Sequence, residues 1–194
     1  MSTFDLNIRT IDDVPHEQLK HLYAYWLRLR GERSLPLRTA FDPMHIPALL
    51  KHLCLLDVLD DGPPPRLRYR VAGTGITEFT GAEFTGRQVD DLIPAAFLPQ
   101  ALSIYEATLR HAGPVYAETC YHRGQGERAE TAMMARLLLP LGQVDRLVSH
   151  LLVGYYYDLS ALRLFPLHEL RRYEVLALFA IASDPEEPAL RVPA

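Results

Sequence analysis

Cysteine is scarce: only Cys54 and Cys120 occur in 194 residues. They fit no metal-binding spacing and no dense disulfide framework, and they suit a reducing, cytoplasmic home. Long apolar runs are missing as well. "VLALFAIA" near the end of the sequence falls far short of a membrane span. The N-terminal "MSTFDLNIRTIDDVP" is acidic and has no apolar signal core, which argues against secretion. Neither charge dominates. With a formal net charge of −4, no basic footprint advertises nucleic acid. Internal repeats and low-complexity stretches are absent. What remains is 48% apolar and 23% charged, an ordinary composition for a soluble chain with room for one sizeable core and terminal extensions.

Patterning supplies the elements. Asp13 as a cap predicts a helix over 14–30, with Leu19, Leu22, Tyr23, Trp26 and Leu29 on one apolar stripe and Gly31 as its end. The proline-containing stretch that follows reads as an ordered linker with one short helix over 44–50. "HLCLLDVLDDGPPP" is apolar on both faces, the mark of a central strand that stops at a turn. "RLRYRV" alternates strictly. Leu67, Tyr69 and Val71 share one side, and Arg66, Arg68 and Arg70 share the other, as suits a charged edge strand. "FLPQALSIYEATLRHAG" predicts a helix whose inner stripe is Leu98, Leu102, Tyr105 and Leu109, stopped by Gly113. Three strands follow, "VYAETCYHR", "RAETAMMARLLLPL" and "RLVSHLLVGYYYDL", joined by the hairpin turns "GQGE" and "GQVD". "HELRRYEVLALFAIAS" reads as a final helix, and the tail "DPEEPALRVPA" as disordered. The class is α+β, with a mixed or antiparallel sheet and helices on its face.

The stretch "YRVAGTGITEFTGAEFTGR" tests for phosphate binding. Gly73 and Gly75 begin a GxGxxG pattern, but Glu78 stands where the third glycine is needed, and no lysine follows. A carboxylate there would repel phosphate. The glycines are therefore expected to serve positive-φ turns between short helical pieces.

"RLRYRVAGTGITEFTGAEFTGRQVDDLIP", followed by a long helix and three strands, resembles the middle of a PAS domain, most of all in "TGRQVDDLIP". "WLRLRGERSLPLRTAFDP", Ile46-Pro47 and "LLDV" resemble a narrower group, small stand-alone bacterial PAS-like proteins carried as a domain of unknown function. The likeness covers roughly residues 20–160. It implies a single PAS-like domain over 33–160 with a five-stranded antiparallel sheet and helices on one face. A helical extension over 1–32 and a C-terminal helix with its tail over 161–194 would flank it. The implied strand order is second, first, fifth, fourth, third. That order puts Cys54 and Cys120 three strand spacings apart, about 14 Å against the roughly 7 Å limit of a disulfide. The sequence departs from the family in having Ala72-Gly73 where an asparagine often follows the second strand. It also lacks the cysteine that a flavin-linking photosensor needs.

Candidate chemistry is sparse. His111, near the end of the long helix, occupies the element that carries the haem ligand in oxygen-sensing PAS domains. Beside Arg110, it reads instead as a cation complementing a helix C-terminus. Neither haem nor flavin is expected. His150 is either a cavity contact or a satisfied core histidine. Arg136 is either an anion anchor in the cavity or a strand arginine whose head reaches water. Centring the first hairpin on Gln125 faces Thr119 with Thr131 and Ala117 with Met133, and puts Val115, Tyr121 and Ala135 on the same side; a one-residue slip inverts the list. The candidate ligand-binding cavity is therefore framed by Tyr69, Val71, Leu98, Leu102, Tyr105 and Leu109, with Thr119, Met133 and His150 from the strands. At least one of Tyr155, Tyr156 and Tyr157 should face each side of the sheet. The carboxylates Asp57, Asp60, Asp61 and Asp158 flank no nucleophile, and Ser149 and Ser160 sit in no nucleophile elbow.

The resemblance implies a non-catalytic sensory or regulatory module. It would be a single-domain signalling adaptor that binds a small, largely apolar ligand or a protein partner and acts in trans, because no second core offers an output. A homodimer is expected to bury the surplus apolar surface of the terminal helices, including Leu170, Tyr173, Leu176, Ala177, Ala180 and Ile181. The alternative is a small α+β enzyme of the isomerase or dehydratase kind, with an acid or base in its pocket.

Overall fold

The computed structural model describes residues 6–59, 65–124, 130–143, 146–157 and 165–183. Ten elements organise them: β1 (Asn7–Arg9), α1 (Glu17–Arg30), β2 (Leu53–Leu59), β3 (Arg66–Ala72), α2 (Thr74–Thr80), α3 (Leu98–His111), β4 (Val115–Arg123), β5 (Glu130–Gln143), β6 (Arg146–Tyr157) and β7 (Leu170–Ile181). The strands form one seven-stranded mixed sheet in the order β1-β7-β4-β5-β6-β2-β3. Five of these strands, β3-β2-β6-β5-β4, reproduce the order expected of a PAS-like sheet. Cys54 on β2 and Cys120 on β4 are both buried free thiols, with β6 and β5 between their strands.

The sheet does not stop at five strands. The predicted C-terminal helix is instead strand β7, antiparallel to β4, and β1 adds to it in parallel. The reason for the misreading is local. Two register shifts along the β4–β7 ladder leave Arg171 and Leu176 without a partner in β4. Such bulges break the period of two, and the spacing from Leu170 to Tyr173 then mimics a helix. The disordered tail predicted after residue 183 lies outside the described residues, as do the tips of the hairpins.

Helices cover both faces. On the outer face α1 lies over β5 and β6: Trp26 is fully buried and donates from Nε1 to the Pro140 carbonyl at 2.9 Å. Gly154 lets it approach, since a Cβ there would meet Leu22 Cδ2 at 2.5 Å. The helix begins at Glu17, later than expected, because Asp13 accepts from Thr10 and closes a short turn of its own over Ile11–Asp13. The single short helix expected over 44–50 resolves into two 3₁₀ turns, Pro43–His45 and Pro47–His52, each opened by a proline. On the inner face lie α2, the segment 81–97 and α3. Gly81 and Gly86 take positive φ as expected. Gly73 and Gly75 do not. Their role is close approach: a Cβ on Gly73 would meet the Leu50 carbonyl oxygen at 2.3 Å, and one on Gly75 the Lys51 carbonyl oxygen at 2.7 Å. At the end of α3 it is Ala112, not Gly113, that takes the left-handed stop, at φ 52°.

A tyrosine-lined cavity with a buried arginine

Between the inner face of the sheet and its helices is a cavity of about 40 Å³. That is small against the roughly 300–1,000 Å³ of drug-sized ligand pockets, and it suits a molecule of a few heavy atoms. Beside Thr80, whose hydroxyl donates to the Ile76 carbonyl, its polar lining is Tyr69, Tyr105, Tyr121, Tyr155, Tyr173 and Arg136. The tyrosines come from five different elements, β3, α3, β4, β6 and β7, so the cavity exists only once the sheet and α3 have assembled. Ile76, Phe84, Leu92 and Ile93 close the wall opposite the sheet.

Pairing across the strands explains why these side chains converge. Arg136 lies opposite Tyr155 on β6 and Ala117 on β4, and Tyr121 lies opposite Tyr173 on β7. Residues directly opposite share a face. Tyr69 and Tyr105 hydrogen-bond each other through their hydroxyls at 3.1 Å. Tyr121 packs edge-on against Tyr173 with ring centroids 5.2 Å apart. Arg136 is only 3% exposed. One terminal nitrogen donates to the Tyr173 hydroxyl at 2.7 Å, and the guanidinium carbon sits 6.0 Å from the centre of the Tyr105 ring. Its Nε finds no hydrogen-bond partner among the described residues.

Among the described residues, no aspartate, glutamate or histidine lines this cavity. Burial pushes the Tyr69 and Tyr155 hydroxyls up, and Tyr121 likewise, so all three stay neutral at physiological pH. Burial by itself drives the Arg136 pKa down; the surrounding tyrosine oxygens more than offset this, and the group is held as a cation. Cys54, nearby on β2 with its thiol against Tyr155, is pushed up to about 12 by burial and is an inert thiol.

The expected site residues divide. Tyr69 and Tyr105 line the cavity. Val71 does not: a register shift between β2 and β3 skips Arg70, and Val71 turns outward, 54% exposed. Met133 is also corrected. Thr119 pairs with Met134 and Ala117 with Arg136, three residues away in register sum from the expected pairing, so the odd shift moves Met134 and Arg136 inward and Met133 outward. Thr119 is fully buried on the inner side, but its hydroxyl donates to the Met134 carbonyl at 3.1 Å and it stays out of the lining. On α3 the buried set is Ala101, Ile104, Tyr105, Ala107 and Thr108. Small residues let the helix sit close to the sheet, while Leu98, Leu102 and Leu109 are only half-buried. Leu102 and Leu109 line a separate hollow beside Leu67. His111 is exposed at the helix end, where its ring lies over Gly113.

His150 faces the other way, on the outer side of the sheet. Its Nε2 is 3.5 Å from Asp57 Oδ1 and its Nδ1 is 2.8 Å from Ser149 Oγ. Asp57 also accepts from Arg68 at 2.8 Å and Arg70 at 2.7 Å. Burial opposes its charge, but the two arginine hydrogen bonds outweigh that and hold its carboxyl below the usual range. This is a satisfied charge cluster fastening β2, β3 and β6 together. Tyr155 and Tyr157 point inward, and Tyr156 points outward, stacked on His16 at 3.9 Å.

The comparison with known families agrees with this layout. A family model described as PAS domain matches residues 14–156, more than half of the chain. The chain belongs to the PAS domain family. PAS domains are sensory and regulatory modules, generally without enzymatic activity of their own, and they often mediate protein interactions and dimerisation. The match ends before β7, so the strand that contributes Tyr173 and Leu170 to the cavity lies beyond it. No curated protein matches the chain. Among the described residues, no helix is long and apolar enough to cross a membrane, and no group of three or more histidine, cysteine or acidic side chains is placed to hold a metal.

The sequence left open which way Arg136 faces, and the register of β4 and β5 turns it inward. It is the one charged residue inside the run "AMMARLLLPL", and tyrosines recur on every strand flanking it. A lone charge in an apolar central strand must be satisfied from the face it points to.

Proposed function

We propose that this PAS domain is a non-catalytic sensor that takes a small ligand between its sheet and α3 and passes occupancy on to a protein partner in trans. The observation that supports the reading is the cavity itself, with a few convergent polar groups on an otherwise apolar wall at the centre of the fold. The enzyme alternative calls for a histidine and a carboxylate aligned in a pocket. Here the aligned pair, Asp57 and His150, is on the opposite face. Tyr105→Trp is the test, because the larger ring fills the cavity from α3. The variant should keep the wild-type circular dichroism spectrum and lose every thermal shift that a small-molecule panel gives the wild type. An unchanged response in a folded variant would place ligand binding elsewhere.

Homodimerisation belongs to the same proposal, but it no longer rests on a terminal helix. Its support is β7, which β1 covers only from Phe179 to Ile181 and which exposes Val175 and Leu176. Light scattering of the full chain should report a dimer. A monomer at micromolar concentration would overturn that part and leave the sensor reading intact.

A further inference from the structure

We propose that the ligand of the tyrosine-lined cavity is a small organic monocarboxylate whose anionic head pairs with the guanidinium of Arg136. This rests on the reading of that cavity as a ligand site. Arginine carries five N–H donors. In Arg136 the Tyr173 hydroxyl takes one of them, and Nε is buried without a partner among the described residues. No carboxylate among the described residues pairs with it, whereas Arg68, Arg70 and Arg123 each meet an acidic side chain. A buried cation whose lining holds no anion among the described residues is half of an ion pair.

The neighbours are suited to complete it. Two tyrosine hydroxyls that share one hydrogen bond, as Tyr69 and Tyr105 do, retain a second O–H that can be donated to an oxyanion. Donors from an arginine and a tyrosine on one carboxylate are charge-assisted hydrogen bonds, shorter and stronger than neutral ones. The remaining wall is apolar, with Ile76, Phe84, Leu92 and Ile93 placed for a short hydrocarbon tail. One cation against an apolar wall matches a single negative charge, so a carboxylate fits better than a phosphate or sulfate dianion. A cavity of about 40 Å³ limits the tail to a few carbons.

Isothermal titration calorimetry on the full chain tests this at constant ionic strength. The probes are sodium acetate, propionate and butyrate, with acetamide and propionamide as neutral counterparts of nearly the same shape. The carboxylates should bind and the amides should bind at least tenfold more weakly. Arg136→Gln, which keeps hydrogen bonding and removes the charge, should lose carboxylate binding by at least tenfold. Arg136→Lys should retain the preference for carboxylate over amide at reduced affinity, which a merely structural arginine would not show. Equal binding of amides and carboxylates, or full carboxylate affinity in a folded Arg136→Gln variant, would overturn the anion proposal while leaving the cavity a ligand site. Binding of toluene but no carboxylate would do the same. Should carboxylates, amides and toluene all leave the wild type unshifted in both calorimetry and thermal melting, the sensor reading would fall with the proposal.

Discussion

On the outer face of the sheet, Arg68 and Arg70 reach the carboxylate of Asp57 at 2.8 and 2.7 Å, with both arginine side chains about half exposed to water. On the inner face, Arg136 is buried and meets a tyrosine hydroxyl in place of a carboxylate. The residue type is the same, and the sheet is the same. The outer arginines have two ways to stay satisfied, their partner and the solvent, and their removal would leave Asp57 stranded. The inner arginine has one hydroxyl partner and almost no solvent, so its burial costs stability unless something else gains from it. A satisfied charge cluster fastens strands; the half-satisfied arginine inside the cavity is what the ligand proposal rests on.

The largest effect should come from the apolar packing that gives the outer face its rigidity. Trp26→Ala removes a fully buried ring and its hydrogen bond to Pro140, and should cost about 3–5 kcal/mol in denaturant unfolding. A loss under 1 kcal/mol would mean that α1 does not hold the outer face. The second effect has the opposite sign. Arg136→Met should raise the stability of the ligand-free protein by about 1–3 kcal/mol, because it replaces a buried, half-satisfied cation with an apolar chain of similar length. At about 2–4 °C per kcal/mol for a chain of this size, differential scanning calorimetry resolves it. A destabilisation of that size would show that Arg136 is structural, like its outer counterparts.

The smallest effect concerns Asp57. Asp57→Asn should cost about 1–2 kcal/mol at neutral pH, less than a fully buried pair would, since Arg68 and Arg70 can return to water. The sign of its pH dependence follows from the lowered carboxyl pKa. The stabilisation is fully present above the unfolded-state value, about 3.9, and disappears as pH falls through the lower folded-state value. The gap between wild type and variant should therefore close as pH falls below about 4. A gap that stayed open far below that value would contradict the pairing.

The two faces also differed in how legible they were in the sequence. The strict alternation of "RLRYRV" and the two-sided apolarity of "LCLLDV" gave the edge and central strands directly, because burial on one or both sides writes itself into the period. α1 was legible for the same reason. The inner site was half legible. Tyr69 and Tyr105 followed from local periodicity, but Met134 and Arg136 depend on the register of a hairpin whose length local sequence does not set. Val71 was lost to a bulge, and β7 to two more. In each case a single unpaired residue changed the face of everything after it, and tertiary pairing overrode a helical pattern in "LRRYEVLALFAI".

The contrast between the two faces can be read in one spectrum. Arginine Nε–H resonances of Arg136, Arg68 and Arg70, assigned by single substitution to lysine, can be followed by NMR as sodium propionate is added at constant ionic strength. Saturable movement of the Arg136 signal, with Arg68 and Arg70 unmoved, is the expected result. An Arg136 signal that stays still while propionate is in excess, or three signals that drift together without saturating, would contradict it.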